Sequence, residues 1–164
     1  MRTRGIAAGD WSAIGDLEVA AYRDRGLSEG VEALRSRAGR SPSTCFVLAD
    51  GEVIAGYLIS LPYPRFRCPD LVTPERAGCR SDNVHLHDLV VAERFRGRGL
   101  ARLLLDGFAA ATARAYTHVS LAAVGGSDVF WAARGFRTVR GVTVPAGYGP
   151  GAVYMSKAIG TEST

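Results

Sequence analysis

The alternation of apolar and polar residues is most regular in the middle of the chain. Residues 83–91 are mostly branched and apolar, which is typical of a β-strand. The segment that follows is rich in arginine and carries Gly97 and Gly99. Apolar residues then recur at the spacing of one helix face, at Leu100, Leu103, Leu104 and Phe108. The pattern therefore predicts a strand, a glycine-rich loop and an amphipathic helix in succession.

Two helices are predicted near the start of the chain, after a short strand at residues 2–7. Asp10 is placed to cap the first helix and Ser28 to cap the second, because both side chains can accept a hydrogen bond from a free helical N–H. The second helix is expected to end at Gly39, since glycine often terminates a helix.

A β-hairpin is predicted for residues 44–60, because Asp50-Gly51 accepts the positive φ angles of a type I′ turn. The connection that follows, residues 61–82, is long and rich in proline. Connections of this length inside a compact domain are usually functional or mobile. We interpret it either as a lid or wall over a binding site or as a plain surface excursion.

The second half of the chain predicts a strand at residues 117–124, reached across a helix and therefore parallel to the strand at 84–91. Gly125 and Gly126 end this strand, and Ser127 can cap a short helix after it. Two closing strands are predicted at residues 137–144 and 152–158.

The length of 164 residues suits a single domain, which we expect at residues 1–160, followed by a disordered tail at 161–164. Twenty Lys and Arg residues against sixteen Asp and Glu give a net charge of +4. The arginines are scattered without interleaved aromatic residues, which argues against nucleic-acid binding. The N-terminus has no signal pattern and no apolar run approaches about 18–20 residues, so a cytoplasmic protein without a membrane partner is expected.

The three cysteines do not form a metal-binding pattern. Cys45 begins an apolar strand and is expected to be a buried thiol. Cys68 and Cys79 share one connection and could pair, but free thiols are expected in a reducing compartment. No Cys or His spacing indicates zinc, so no metal is expected.

The glycine-rich loop predicts a phosphate-binding site. Gly97 and Gly99 let the backbone approach a ligand closely, and the N–H groups at the start of the next helix are unpaired donors. A mononucleotide loop would need Gly-Lys-Ser/Thr, and a dinucleotide loop would need glycine at the position of Arg102. Neither pattern is present. Additional positive charge comes from Arg94, Arg96, Arg98 and Arg102.

Two motifs together resemble those of the GCN5-related N-acetyltransferase (GNAT) superfamily. Arg94-x-x-Gly97-x-Gly99 is similar to its acyl-CoA pyrophosphate loop. The segment 130–136, Phe-Trp-Ala-Ala-Arg-Gly-Phe, is similar to its aromatic helix that ends in Gly-Phe. The resemblance implies an α/β fold of the α+β type, with a central mixed sheet, two splayed parallel strands and flanking helices.

The resemblance also implies acetyl-CoA as the cofactor, with its acyl chain in the gap between the splayed strands. The backbone of the first parallel strand would meet the developing oxyanion, and the loop would bind the diphosphate. Ser127 would contact the pantetheine or only cap its helix. The expected cofactor-binding residues are Leu89, Val90, Val91, Arg96, Gly97, Arg98, Gly99, Leu100, Ala101, Ser127, Phe130 and Trp131.

Acetyl transfer to an amine requires a group that removes a proton from the ammonium ion, whose pKa is about 10. His87 and Asp88, on the central strand, are the candidate catalytic residues. The two-residue period of a strand places His85 and His87 on one face and Asp88 on the other. The alternative is that one histidine fixes the strand and Asp88 pairs with an arginine.

Trp131 occupies the position at which many relatives have a tyrosine that protonates the leaving thiolate. An indole N–H is a negligible acid. Three alternatives follow: the thiolate leaves unassisted, Tyr148 or Tyr154 donates the proton, or the bound acyl-CoA is not turned over. Of the two tyrosines, Tyr148 is predicted as the third catalytic residue.

The resulting hypothesis is an N-acetyltransferase that moves the acetyl group of acetyl-CoA directly to a primary amine of a small molecule. The alternative is a non-catalytic acyl-CoA sensor or interaction module, which the tryptophan at position 131 favours. No acidic cluster that would indicate a polyamine or an aminoglycoside is evident in the sequence. Relatives often pair through their closing strands, so the resemblance is also compatible with a homodimer.

Overall fold

The computed structural model describes residues 1–71, 73 and 80–160. In this part of the chain seven strands form one sheet, in the spatial order β1-β2-β3-β4-β5-β7-β6. The strands are β1 (Arg2–Gly5), β2 (Phe46–Asp50), β3 (Val53–Pro62), β4 (Asn83–Val91), β5 (His118–Ala123), β6 (Arg137–Thr138) and β7 (Val153–Ala158). The α-helices are α1 (Trp11–Tyr22), α2 (Val31–Ala38), α3 (Leu100–Thr112) and α4 (Asp128–Ala132). This mixed sheet with flanking helices confirms the predicted fold class.

Helices cover both faces of the sheet. On one face α3 buries Leu104 and Phe108 against the sheet, as its apolar spacing predicts, whereas Leu103 is exposed. On the other face α1 and α2 bury Ile14 and Leu34 against β3 and β4. The sheet therefore separates two apolar clusters, and each side chain of β4 belongs to one side or the other.

Asp10 is the N-cap residue of α1, as predicted, but its side chain does not bond to the helix, and the predicted cap at Ser28 is wrong. Asp10 directly precedes α1, but its carboxylate accepts a hydrogen bond from the Ala7 N–H at 2.7 Å and pairs with Arg4 at 2.7 Å. The N-cap of α2 is Gly30, and the Ser28 hydroxyl donates to the Glu18 carboxylate at 2.9 Å instead. In both cases a charged partner elsewhere in the fold competes with the helix N–H groups for the side chain.

The predicted hairpin is present, but its turn differs. Asp50 pairs with Val53, so Gly51 and Glu52 form the turn. Gly51 has a φ of 59° and Glu52 has no positive φ, which rules out type I′ because that turn needs two positive φ angles.

The first closing strand is much shorter than the predicted 137–144. β6 contains two residues, and the Val139 N–H makes the last contact with β7, at 3.0 Å from the Tyr154 carbonyl. Gly141, with a φ of 79°, then turns the chain away from the sheet. The second closing strand, β7, agrees with the prediction.

β4 and β5 are the parallel pair that the crossover predicts, and they separate early. Their pairing is limited to Asn83 with His118, Val84 with Val119 and His85 with Ser120. Beyond these pairs β4 continues for six residues to Val91 without a partner on this edge among the described residues. The two strands therefore open into a cleft, as the resemblance implies.

A β-bulge lies in β4 just beyond its last pair with β5. Ile59 of β3 pairs with Asp88, whereas Ser60 pairs with Leu86, so His87 is an extra residue in the ladder. Leu86 packs with the α3 cluster, while Val90 packs with the α1–α2 cluster. His87 and Asp88 both contact residues of the α1–α2 side. The prediction that Asp88 faces away from His87 is therefore wrong, because the bulge shifts the two-residue period by one.

Cys45 and Cys68 are free thiols, as predicted. Burial raises the pKa of each thiol to about 11. Cys79 and the predicted tail at 161–164 lie outside the described residues.

Candidate active site

A cleft of about 520 Å³ occupies the gap between β4 and β5 and continues toward α1 and α2. It brings together most of the residues predicted from the sequence. Those at its wall are His87, Asp88, Leu89, Val90, Val91, Arg96, Ala101, Ser127, Phe130, Trp131 and Tyr148. The remaining four predicted residues, 97–100, form the turn that leads into α3 and are not part of this wall.

The turn before α3 has the features of an anion site. Gly97 and Gly99 have φ angles of 76° and 72°, which favour glycine, and a Cβ on either would meet no atom within 4 Å. Among the described residues, the N–H groups of residues 97–99 have no backbone acceptor. The first N–H groups of any α-helix also lack an acceptor within the helix, because no residue lies four positions before them in it. Open space and free donors at the start of a 13-residue helix fit a diphosphate.

The arginines of this turn have different roles. The Arg96 Nε donates to the Val91 carbonyl at 3.0 Å, which ties the turn to the end of β4. Arg94 and Arg98 lie against the ring of Phe95, with their guanidinium carbons at 4.7 and 5.6 Å from its centroid. Arg96 therefore lies at the cleft, whereas Arg98 is stacked outside its wall.

His87 lies at the end of the cleft that faces α1 and α2. Its Nε2 is 2.6 Å from the Glu29 carboxylate, and the histidine side chain is 1% exposed. Its Nδ1 is buried and has no hydrogen-bond partner among the described residues. One ring nitrogen of His87 is therefore fixed and the other is unpaired.

Glu29 was missed by the sequence analysis. Its second oxygen accepts from the Nε of Arg37 at 3.1 Å, and the Arg37 side chain is fully buried. Burial raises the pKa of the Glu29 carboxyl, but His87 and Arg37 outweigh burial and hold the pKa below its ordinary value. Glu29 is therefore ionised at neutral pH. Glu29 lies in the link between α1 and α2, far from His87 in sequence. No local sequence pattern could therefore have predicted that the two side chains meet.

Asp88 accepts hydrogen bonds from two tyrosines. The Tyr22 hydroxyl donates at 2.5 Å and the Tyr57 hydroxyl at 2.6 Å, one to each carboxylate oxygen. Burial raises the pKa of Asp88 to about 6, and the two hydroxyls and His87 limit the rise. In the described part of the chain no arginine pairs with Asp88, so the alternative prediction is not observed there.

A third carboxylate, Glu18, also lines the cleft and was not predicted. It is 1% exposed, and it accepts from the Ser28 hydroxyl at 2.9 Å and the Glu29 N–H at 2.7 Å. Glu18, Glu29 and Asp88 thus form an acidic cluster from three separate segments, which the sequence did not make evident. Each of these carboxylates accepts hydrogen bonds from protein groups.

Tyr148 lies at the cleft wall, and its hydroxyl donates to the Pro69 carbonyl at 2.7 Å. Burial raises the pKa of this phenol well above its ordinary value, and the neighbouring Cys68 raises it further. Leu71 also lines the cleft, so the 61–82 connection contributes this side chain to the wall of the site. The role of Tyr148 as a proton donor stays a prediction.

The aromatic helix α4 forms the opposite wall. Trp131 is 8% exposed and contacts Phe130 and Phe136 edge to face, at ring distances of 4.9 and 5.5 Å. Gly135, with a φ of 89°, closes the turn that follows α4, and the Phe136 N–H returns to the Trp131 carbonyl. Ser127 does not cap α4 through its side chain, because its hydroxyl accepts from the Val124 N–H at 3.1 Å.

The other two histidines do not reach the cleft wall. His85 is 1% exposed, and its Nδ1 is 2.9 Å from the Ser120 hydroxyl. Burial lowers the pKa of His85 well below its ordinary value, so it is neutral at pH 7. His118 contacts the hydroxyl of Thr117 at the start of β5. His85 therefore fixes the closed end of the β4–β5 pair.

A sequence model of the acetyltransferase (GNAT) family matches residues 11–136. The match covers more than half of the chain, and the chain therefore belongs to this family. Acetyl-CoA is the usual cofactor of the family, which confirms the cofactor predicted from the sequence. No curated protein has a sequence that matches this chain significantly.

Solved structures share the fold at low sequence identity. Ard1 from Thermoplasma volcanium is 14% identical, with 96% of each chain covered and a TM-score of 0.72. An aminoglycoside 6′-N-acetyltransferase complexed with coenzyme A is 13% identical, with 100% of each chain covered and a TM-score of 0.72. The GNAT-like decarboxylase GphF, in complex with isobutyryl-CoA, is 20% identical, with 96% of this chain and 99% of that chain covered and a TM-score of 0.71. These likenesses establish the fold, and they span more than one reaction.

Two further observations concern membranes and metal ions. Within the described residues, no helix is both long and apolar enough to cross a membrane. The same part of the chain contains no group of three or more His, Cys, Asp or Glu side chains placed to hold a metal ion.

Proposed function

We propose that this protein transfers the acetyl group of acetyl-CoA directly to a primary amine of a small molecule. The observation that carries the proposal is the β4 bulge, which places His87 and Asp88 together in the cleft that the splayed strands open. Bound acetyl-CoA would supply a thioester carbonyl in that cleft. His87 and Asp88 are the groups on the α1–α2 side that can take a proton from an acceptor amine.

The cofactor end of the cleft supports this proposal. The N–H groups of residues 97–101 and the side chain of Arg96 would hold the diphosphate, because they are free or exposed donors at the positive end of α3. The unpaired edge of β4 at residues 89–91 would supply N–H donors to the carbonyl oxygen. Ser127, Phe130 and Trp131 would line the opposite side of the acyl carrier.

The acceptor end favours a small amine with one positive charge. Glu18, Glu29 and Asp88 lie there, but each already accepts hydrogen bonds from protein donors. The rest of the wall includes apolar side chains such as Leu27 and Leu71. A polycation would lose its hydration in such a site and, among the described residues, would find no carboxylate without a hydrogen-bond partner to pair with, so its binding would be unfavourable. The cytoplasm as compartment and a homodimer both stay predictions.

The test measures thiol release from acetyl-CoA with a panel of primary amines, with the acetylated product identified by mass spectrometry. Release that depends on one group of small amines is expected. Tight binding of acetyl-CoA in calorimetry without release for any amine would favour the second candidate, an acyl-CoA sensor. That candidate is supported by Trp131, a buried residue at the position where many relatives have a tyrosine that acts as the general acid. The indole N–H is too weak an acid to protonate the thiolate.

A further inference from the structure

The contact between Glu29 and His87 fixes which nitrogen of the imidazole carries the proton. An ionised carboxylate only accepts hydrogen bonds, and the pKa of Glu29 lies below its ordinary value. At 2.6 Å from this carboxylate, the Nε2 of His87 must therefore be the N–H donor. In the neutral imidazole the lone pair then lies on Nδ1.

The Nδ1 of His87 is the unusual atom of the pair. It is buried and has no hydrogen-bond partner among the described residues, although His87 lines the cleft. A buried acceptor without a partner is unfavourable, and a donor that reaches Nδ1 would remove this penalty. An acceptor ammonium, or a water molecule bound beside it, is such a donor.

Glu29 is held from two sides, so its orientation does not depend on His87. The Glu29 N–H donates to the Glu18 carboxylate at 2.7 Å, which fixes the backbone. Its Oε2 accepts from Arg37 at 3.1 Å, which leaves Oε1 for the imidazole. The Arg37 guanidinium also contacts the carbonyls of Asp70 and Thr73. Glu29 is therefore anchored before any ligand binds.

We propose that Glu29 is a positioning residue that keeps a proton of the His87 imidazole on Nε2, so that Nδ1 is the nitrogen that accepts the proton of the acceptor ammonium. The inference rests on the proposed function. In the step an N–H bond of the ammonium breaks and an Nδ1–H bond forms, directly or across one water molecule. The amine becomes neutral, and the imidazolium is stabilised by the Glu29 carboxylate.

Several other titratable groups surround this pair. They are Glu18, Tyr22, Arg25, Arg37, Tyr57, His85, Asp88 and Tyr148. Among the described residues, Glu29 is the carboxylate within hydrogen-bond distance of His87. Both oxygens of Asp88 are taken by tyrosine hydroxyls, and His85 is bonded to Ser120. The tautomer of His87 is therefore set by Glu29.

The variant Glu29→Gln gives a sharp test, because Arg37 controls how the new amide is oriented. Arg37 only donates, so the amide oxygen of the glutamine faces Arg37 and its NH₂ group faces His87. The Nε2 of His87 must then accept, which moves the proton to Nδ1. The side chain keeps its size and its two contacts, but the lone pair on the Nδ1 of His87 is lost.

Two measurements are made on the full chain. Nitrogen-15 NMR of histidine-labelled protein resolves three imidazoles, and His118→Gln and His87→Gln variants assign them. The expected result is an Nε2-protonated His87 in the wild type and an Nδ1-protonated His87 in Glu29→Gln. The kcat/KM for the amine is expected to fall about 100-fold or more, as loss of a general base does, with coenzyme A affinity unchanged. The matched control is Glu32→Gln, an exposed acid on α2, which should match the wild type.

The outcomes separate the two proposals. An active wild type with His87 protonated on Nδ1, or a Glu29→Gln variant whose kcat/KM stays within about threefold of wild type, would overturn the role of Glu29 alone. A wild type that shows the expected tautomer but acetylates no amine would overturn the proposed function, and with it the proton transfer. A melting temperature of Glu29→Gln close to that of the control is required, so that a loss of activity is not a loss of fold.

Discussion

His87 and Asp88 are consecutive residues of one strand, and both side chains face the α1–α2 side of the sheet. The bulge that causes this puts two proton-binding groups in one cleft. They differ in their partners, because among the described residues His87 keeps an unpaired nitrogen whereas each oxygen of Asp88 accepts a hydrogen bond, from Tyr22 and from Tyr57. The two residues are therefore expected to respond differently to substitution.

Replacing His87 by alanine should remove the proton acceptor. We expect kcat/KM for the amine to fall by about 10²–10⁴-fold, the range for loss of a general base, while the affinity for coenzyme A stays the same. Steady-state kinetics and calorimetry measure the two quantities. The control is His118→Ala, since His118 lies outside the cleft wall. If His87→Ala retains wild-type turnover, the base must be sought elsewhere, and Asp88 is the next candidate.

The elevated pKa of Asp88 should appear in the pH dependence of stability. With a folded-state pKa of about 6 and an ordinary value of 3.8, the native state binds more protons than the unfolded state between about pH 4 and 6. The contribution of Asp88 to stability therefore falls as the pH rises through this window, by about 3 kcal/mol for a shift of two units.

The variant Asp88→Asn isolates this effect, because an amide does not titrate. Denaturant unfolding of both proteins from pH 4 to pH 7 should show the wild type losing stability relative to the variant as the pH rises. A pH-independent offset between the two proteins is allowed, since the asparagine changes the hydrogen bonds with the tyrosines. A difference that stays constant across the range would contradict the raised pKa.

The glycine turn should be intolerant of a side chain. Gly97→Ala and Gly99→Ala each force a left-handed backbone on alanine, at a cost of about 1–2 kcal/mol. In the free protein the loop can relax to avoid this strain, but binding of coenzyme A would restore the left-handed conformation. The affinity for coenzyme A measured by calorimetry should therefore fall about 5–30-fold. Gly9→Ala is the control, because Gly9 also has open space but no positive φ. Affinities equal to that of the control would remove the turn from the cofactor site.

The variant Tyr148→Phe separates two roles of that hydroxyl. We expect a stability loss of about 1 kcal/mol and a higher KM for the amine with a nearly unchanged kcat, because the hydroxyl anchors Pro69 at the acceptor end. A fall in kcat of about 100-fold or more without a change in KM would instead identify Tyr148 as the proton donor. Denaturant unfolding and initial-rate kinetics provide both quantities.

The sequence predicted what depends on local pattern. The strand at 83–91, the glycine turn and the helix from Leu100 follow from periodicity and from the positive φ that glycine allows, and all are present. The same is true of the parallel pairing of β4 with β5, which a crossover connection requires.

The missed features depend on contacts between distant segments. A bulge at His87 is set by how β3 and β4 align, so strand periodicity alone placed Asp88 on the wrong face. Glu18 and Glu29 meet the cleft only because α1 and the segment before α2 pack beside β4, at sequence distances that carry no motif. The side chains of Asp10 and Ser28 do not bond to their helices for a similar reason, since they bond to Arg4 and Glu18 instead.

The short ladder between β4 and β5 has a consequence for dynamics. Three residue pairs join β1–β4 directly to β5–β7, with the Asn83 amide and the His85 ring both bonded to Ser120 at 2.9 Å. Because this ladder is so short, the two portions of the sheet can rotate slightly relative to each other about it. Coenzyme A seated in the gap would bridge them, and amide hydrogen exchange in β5 and α4 would slow when it binds.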